Sequence, residues 1–252
     1  MKISAVILTK NEEGNLDRCL KSVSFCDEIV IIDDFSSDKT VEIAKRYKAK
    51  VCKRELNNDF SNQRQFAFNK ASGEWLLFID ADEEVSLELK KDIKNVLFQG
   101  NQKIVAYYIK RRDIWWGREL RYGETQKVRN KGLIRLIKKN HGQWYGLVHE
   151  VLKTKEATSC LSGFLNHYPH PTLTEFINDI NRYSSLRAKE LFSQKKGTNS
   201  CQIIFYPFLK FLLNYFIYLG FLDKAPGFVY AFMMSFHSFL VRVKLYQLTH
   251  KK

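Results

Sequence analysis

Residues 73–84 read Gly-Glu-Trp-Leu-Leu-Phe-Ile-Asp-Ala-Asp-Glu-Glu, GEWLLFIDADEE. The apolar run Trp75–Ile79 has no alternating polar partner, which is what a strand covered on both faces requires. It stops abruptly in carboxylates, Asp80 and Asp82, followed by Glu83 and Glu84. The same pattern lies upstream. Ile3–Leu8 runs into Thr9-Lys10-Asn11-Glu12, and Glu28–Asp33 runs into Asp34-Phe35-Ser36-Ser37-Asp38. A further strand is expected over Lys50–Arg54, and the fourth over Glu74–Asp80. Between the first two, Leu16, Cys19, Leu20 and Val23 recur at helical spacing. After Asp80, Leu89, Ile93, Val96 and Leu97 do so behind Ser86, a good N-cap. Strand–helix alternation of this kind predicts an α/β fold with a mostly parallel sheet covered by helices on both sides. Ligands of such sheets sit at the carboxyl ends of the strands, and here three of those ends are acidic or amide-rich.

Around this core the chain has 252 residues, 45% of them hydrophobic, enough to bury a core and to exclude fibrous and wholly disordered classes. Forty-one Lys and Arg against 27 Asp and Glu leave a formal charge of +14, which implies an anionic partner: nucleic acid, a phosphorylated small molecule or an anionic membrane. Neither GxGxxG nor GxxxxGK[ST] occurs, so Rossmann dinucleotide enzymes and P-loop NTPases lack their phosphate cradle. The five cysteines (19, 26, 52, 160 and 201) are odd in number and form no CxxC pair. That argues against a disulfide framework or zinc site and for a reducing cytosol. The run Ile3–Leu8 is too short for a signal peptide and meets Asn11-Glu12-Glu13 where cleavage would fall, so the protein is expected not to be secreted.

Beyond residue 100 the pattern changes twice. Ile104–Lys110 and Leu133–Lys138 alternate like antiparallel strands, with Trp115, Trp116, Trp144 and Tyr145 nearby. Residues 203–246 then hold 14 of the 35 aromatics with four basic residues and one acid, Asp223. Pro207 and Pro226 punctuate two apolar stretches, Ile203–Leu222 and Gly227–Val243. Aromatic and basic residues together suit a helix lying in a membrane interface; a buried helical hairpin or a dimer contact would share the composition.

Two carboxylates two residues apart after a buried strand can hold a divalent cation. Mg²⁺ typically takes one or two carboxylates and completes its shell with substrate phosphates, offsetting charge on a leaving diphosphate. Acidic runs also favour helix N-termini, so Asp80 and Asp82 by themselves leave a solvated turn open. Asp33 can accept from a base N–H or a ribose hydroxyl, while Ser36 or Ser37 caps the following helix.

As an ordered set, ISAVILTKNEE, EIVIIDDFSSDKT and GEWLLFIDADEE resemble the nucleotide-binding half of family 2 glycosyltransferases, which have the GT-A fold, a Rossmann-like nucleotide-diphospho-sugar transferase architecture. FSNQRQFAFNKA, the Trp-rich middle, GLVHE, NRYSSLRAKEL and YFIYLGFLDKAPGF are similar to a subgroup associated with sugar addition to the lipopolysaccharide core. The resemblance implies a catalytic domain over 1–165, with a nucleotide-binding half (1–100) and an acceptor half (101–165). A helical, aromatic-rich, membrane-associating region would follow over 166–252. It further implies that Thr9 and Glu12 line the nucleotide pocket, Asp33 contacts the base, Asp80 faces the ribose and Asp82 binds Mg²⁺ or Mn²⁺. Gln63 and Arg64 fall where the family places polar contacts to the nucleotide or diphosphate, although Arg64 could equally be an exposed helix residue. Phe35 stands where many relatives have glycine in DDGSTD.

Such a transferase needs a base for the acceptor hydroxyl as it attacks the anomeric carbon from the face opposite the diphosphate, which inverts that centre. Glu150 is the candidate, with Asp113 as the fallback. His149 beside it is either a metal or phosphate contact or a loop histidine, and His167 and His170 are given no role. Arg111, Arg112, Arg118, Arg121, Arg129 and Arg135 could fork onto phosphates of an acceptor, though individually a solvated basic face is expected. The expected reaction is sugar transfer from a nucleotide donor, UDP-linked, to a lipopolysaccharide-core or other lipid-linked saccharide at the inner face of the cytoplasmic membrane. Another surface polysaccharide or lipid-carrier glycan is the alternative product. From other classes, a basic nucleic-acid-binding module is disfavoured because three acidic strand ends would repel phosphate, and a scaffold with a degenerate site is disfavoured by the intact Asp80/Asp82 pair.

Overall fold

Strand β1 (Ile3–Thr9) is the centre from which the sheet grows, and its Ile3–Ile7 segment is wholly buried. The structure, a computed structural model, describes residues 1–146 and 150–250. Helix α1 (Leu16–Ser22) returns the chain to β2 (Glu28–Asp33), α2 (Thr40–Arg46) to β3 (Lys50–Lys53), and α3 (Phe60–Lys70) to β4 (Trp75–Asp80). Strands β1 and β2, β1 and β4, and β2 and β3 pair in parallel, in register Thr9↔Asp33 and Leu8↔Asp80. The expected strands thus form within a residue of their bounds, and their three polar carboxyl ends lie side by side.

Short β5 (Glu83–Val85) leads into α4 (Leu87–Gln99), whose N-cap Ser86 accepts a hydrogen bond from Leu89 N and whose C-cap Gly100 takes a left-handed φ of 63°. Then come β6 (Ala106–Trp115), β7 (Arg118–Leu120), α5 (Gln126–Lys131), β8 (Leu133–Lys138), β9 (Gln143–Tyr145), β10 (Val151–Lys153) and β11 (Thr158–His167). Strand β8 adds antiparallel to β4, and the main sheet runs β3-β2-β1-β4-β8-β6-β11-β5. Gly163 on β11 lies so close to α4 that an added Cβ would sit 2.3 Å from Leu89 N. Only glycine permits that approach.

Side chains of β1 alternate between two cores. Ala5 and Ile7 pack with Leu16, Leu20 and Ile43 on one face, and Val6 packs with Ile32, Ala67, Phe68 and Phe78 on the other. At about 1.5–3 kcal/mol per fully buried large apolar side chain, these two layers fix where the strand ends fall.

The chain forms two compact units. The first holds Met1–Arg112 and Val128–His167, and the second holds Asp113–Lys127 and Tyr168–Lys252. In the second, α6 (Leu173–Ser193), α7 (Ser200–Leu212) and α8 (Lys224–His250) are the principal helices. Trp115, Leu120, Phe176, Ile180 and Met233 form one core, and Ala188, Leu191, Val241 and Leu245 another. Pro207 lies inside α7 and cannot donate to the helix ladder, and α7 passes into a π-helical turn at Leu213–Ile217. Ser235 of α8 donates to the Pro207 carbonyl at 2.7 Å.

Candidate active site

The carboxyl ends of β1 and β2 are joined by hydroxyl and backbone donors and by one lysine. Asp33 is fully buried; its Oδ1 accepts from the hydroxyls of Thr9 (3.2 Å) and Ser36 (2.5 Å), and its Oδ2 from Ser36 N (3.1 Å). Asp34 pairs with Lys10 at 2.6 Å and accepts from Leu56 N. Asn11 and Phe35 both adopt left-handed backbone, φ 54° and 53°. They bring the two loops together: Asn11 N donates to Ser36 Oγ, and Ser37 N donates to Asn11 Oδ1. Ser36 and Ser37 therefore bind the β1–β2 edge and do not cap α2, whose first N–H, from Thr40, is instead taken by Asp38. That corrects the capping expectation: a hydroxyl beside a buried carboxylate gains a charged acceptor, a stronger bond than an N-cap offers. Glu12 accepts from Asn15 Nδ2, and its backbone N–H donates to Thr40. Gln63 is buried with its Nε2 on the Arg54 carbonyl.

The end of β4 is built from charges. Arg64 is 3% exposed, so it is not a surface helix residue. Its Nη2 donates to Asp80 Oδ1 at 2.5 Å and its Nε to Glu150 Oε1 at 2.7 Å, while its guanidinium stacks 4.9 Å from the Trp144 ring centroid. Arg135 donates to Asp80 Oδ2 at 2.9 Å and lies 3.5 Å from Glu83 Oε1. Glu83 is fully buried, with Arg111 at 3.8 Å, and its Oε2 accepts from Asp80 N. Burial alone would raise the Asp80 carboxyl, but Arg135 and Arg64 outweigh it and hold it well below the usual carboxylate range. Burial pushes the Glu83 carboxyl up, with Asp80 adding to the shift and Arg135 opposing it. Arg64 thus ties together three residues named from sequence: Asp80, Glu150 and itself. Arg64 Nη1 is buried with no hydrogen-bond partner among the described residues. A buried donor left without an acceptor is costly, and an anionic oxygen arriving here would satisfy it.

Asp82 is different. Its side chain is about as exposed as that of Asp80, 28% against 30%, but its Oδ2 lies 3.1 Å from His167 Nε2 instead of on an arginine. Among the described residues no three His, Cys, Asp or Glu side chains converge into a complete metal cage. Asp82 and His167 nevertheless offer a hard oxygen and an imidazole nitrogen, a donor set that fits an Mg²⁺ or Mn²⁺ ion completing its shell from a diphosphate. Asp80, with both oxygens held by arginines, does not have that freedom.

His149 lies outside the described residues. Asp113, the fallback base, is buried on β6 opposite Leu120 in the second unit. Glu83 and His167 are site residues to which sequence reasoning gives no role, and Arg135 it names only as one of six candidate phosphate forks. Arg135, which the sequence offers either as a phosphate fork or as part of a solvated face, stands mid-strand in the apolar β8 sequence LIRLIK. An arginine in a doubly covered strand has to find carboxylates, and that was the available signal. A cavity of about 250 Å³ adjoins the cluster, lined by Tyr108, Arg135, Trp144, Glu150 and Lys153 among others.

A parallel sheet whose carboxyl edge carries this constellation is the frame of a nucleotide-diphospho-sugar transferase, and the comparisons agree. Residues 4–146 match glycosyl transferase family 2. The chain is 33% identical to an uncharacterized glycosyltransferase of Rickettsia typhi, covering 99% of this chain and 88% of that one. It is 30% identical to the lipopolysaccharide core biosynthesis glycosyltransferase LpsC of Rhizobium meliloti, covering 98% and 93%. Among solved structures, Staphylococcus aureus TarS 1–349 in complex with UDP-GlcNAc superposes with a TM-score of 0.51 at 17% identity, covering 99% of this chain and 92% of that one. Against a longer TarS chain the coverage is 49% of its length. The chain belongs to glycosyl transferase family 2; it has the GT-A fold and is a glycosyltransferase.

Proposed function

We propose that this enzyme is an inverting, metal-dependent transferase that moves a sugar from a UDP-linked donor to a lipopolysaccharide-core or other lipid-linked saccharide. The observation that carries the reading is Arg64, which links the nucleotide-side carboxylate Asp80 to Glu150 and keeps a buried Nη1 that has no hydrogen-bond partner among the described residues. Glu150 is the base: its carboxylate, oriented by Arg64, takes the acceptor proton, while the spare Arg64 donor and Arg135 stabilise anionic oxygens of the donor. Pairing with Arg64 keeps the Glu150 carboxylate aimed. Thr9, Glu12, Asp33 and Gln63 shape the nucleotide pocket. Mg²⁺ or Mn²⁺, held by Asp82 with His167 beside it, supplies Lewis-acid stabilisation of the leaving diphosphate. The LpsC relative supports a lipopolysaccharide-core acceptor.

The second unit supports work at a membrane surface. Phe205, Phe208, Phe216, Ile217 and Phe232 are each more than half exposed, and Arg242 lies 4.3 Å from the Tyr206 ring. Two helical segments, Ser200–Ile217 and Gly220–His250, are long and apolar enough to cross a bilayer by composition. With Pro207 and the π turn in one of them, lying in the interface of the inner leaflet is the arrangement we favour.

The test is transfer from a panel of UDP-sugars to core oligosaccharide and lipid-linked acceptors, with the product's anomeric configuration read by NMR. Inversion is expected, and Glu150→Gln should lower turnover about 10²–10⁴-fold with donor affinity little changed. A retained anomer, or full activity in Glu150→Gln, contradicts the mechanism. For the membrane, the wild type should co-sediment with anionic vesicles, and a Phe205→Glu/Phe208→Glu variant should not. Equal partitioning would remove this part of the reading.

A further inference from the structure

Phe35 carries a backbone cost that its side chain does not offset: the turn brings Ser36 and Ser37 to Asn11, but the ring adds no core packing. Its φ of 53° is the left-handed region that glycine enters freely and that bulky side chains avoid. Its ring is 59% exposed and belongs to neither core of the first unit. A large apolar side chain held in an unfavourable conformation and left in water gains little for folding. Strain of this kind concentrates where a ligand is met. The position agrees. Phe35 stands two residues past the end of β2, beside the buried Asp33 and between the ends of β1 and β3, with Lys53 Nζ 5.9 Å from its ring centroid. Asp33 and Asp34 turn their oxygens inward onto Thr9, Ser36, Lys10 and Leu56, so the exposed face of this edge is the ring itself.

We propose that Phe35 is a nucleotide-binding residue whose ring forms one wall of the nucleobase site and stacks on the base of the incoming nucleotide. The inference rests on the nucleotide-sugar reading above and deepens it. Stacking is tolerant of base identity, since every base has a π-face, and it contributes affinity for the nucleoside part of the donor alone. The ring therefore acts on nucleoside diphosphates and not on pyrophosphate.

The experiment is calorimetric titration of the full chain with UDP and with inorganic pyrophosphate, both in Mn²⁺, for wild type, Phe35→Gly and Phe35→Tyr. Phe35→Gly removes the ring and relaxes the backbone, so its melting temperature should equal or exceed that of wild type while its UDP Kd rises about ten-fold. Its pyrophosphate Kd should stay within two-fold, and Phe35→Tyr should keep wild-type UDP affinity. An unchanged UDP Kd in Phe35→Gly, with wild type binding UDP, overturns the stacking role alone. Equal weakening of UDP and pyrophosphate would also overturn it, because the ring would then shape the loop and not meet the base. Failure of the wild type to bind UDP at all would instead defeat the nucleotide reading, and this inference with it.

Discussion

The strand ends on either side of β1 in this enzyme solve the same problem in opposite ways. At β2, Asp33 is buried and its oxygens are satisfied by hydroxyls and a backbone N–H, all from the two loops it joins. At β4, Asp80 and Glu83 are balanced by Arg64, Arg135 and Arg111, and these arginines reach in from α3, β8 and β6. The first arrangement is local and makes a rigid wall. The second assembles charges from distant parts of the chain, and removing one member leaves the others uncompensated. Asp80 and Asp82 are both partly open to solvent, but Asp80 has each oxygen on an arginine, whereas Asp82 meets His167. The difference separates a scaffold that shapes a pocket from a cluster that can respond to an anionic ligand.

The sharpest way to break this division is Asp82→Asn. If Asp82 is the metal-holding carboxylate, metal-dependent turnover should fall about 10³–10⁴-fold, as loss of several kcal/mol of charge stabilisation requires. The melting temperature should barely move, since the residue is partly exposed and its polar side-chain contact among the described residues is with His167. Turnover near wild type would put the metal elsewhere.

Arg135→Met tests whether the β4 cluster is interdependent. Removing one partner from a buried ion pair typically costs about 3–5 kcal/mol, because the remaining charge stays buried. Urea denaturation should show a loss of that order; a loss below about 1 kcal/mol would mean that Arg64 and Arg111 alone suffice. Ser36→Ala probes the β2 end by the same measurement. It removes one hydroxyl from a carboxylate that keeps other donors, so about 1–3 kcal/mol is expected.

The smallest effect is in acid. Asp80 is held below its ordinary value in the folded state, so its contribution to stability is complete above the unfolded value, about pH 4. It is lost as pH falls through that value toward the lower folded one. Denaturation midpoints of wild type should therefore decline over this acid window, and those of Asp80→Asn should decline less steeply. Equal slopes would contradict the arginine pairing.

The same contrast explains what the sequence discloses. Strands β1, β2 and β4 are legible because each is a buried apolar run ending in polar or acidic residues, and α4 because Ser86 caps it and Leu89 and Ile93 repeat at helical spacing. Strands β5, β7, β9 and β10 are three residues each and carry too little periodicity to register. Strand β11 is obscured because Gly163, demanded by the approach of Leu89, interrupts its apolar alternation. Asp80, Asp82 and Glu150 stand out by chemistry, but that Arg64 bridges Asp80 and Glu150 is a pairing across 86 residues that no local pattern encodes. His167 reaches Asp82 in the same way, across 85 residues. The β2 loop misled in the other direction: Ser36 has the residue type of a helix cap but is claimed by a carboxylate three positions earlier.

The central claim is that Asp82 holds a divalent cation through which a nucleoside diphosphate is bound at the end of β4. It is tested most directly by titrating UDP into the wild type and Asp82→Asn, each with and without Mn²⁺. The account predicts tight binding only for wild type with Mn²⁺, at least ten-fold weaker binding when either the metal or the carboxylate is removed, and no further loss when both are. UDP affinity in the wild type that is indifferent to Mn²⁺, or Mn²⁺-dependent affinity that survives in Asp82→Asn, would contradict it.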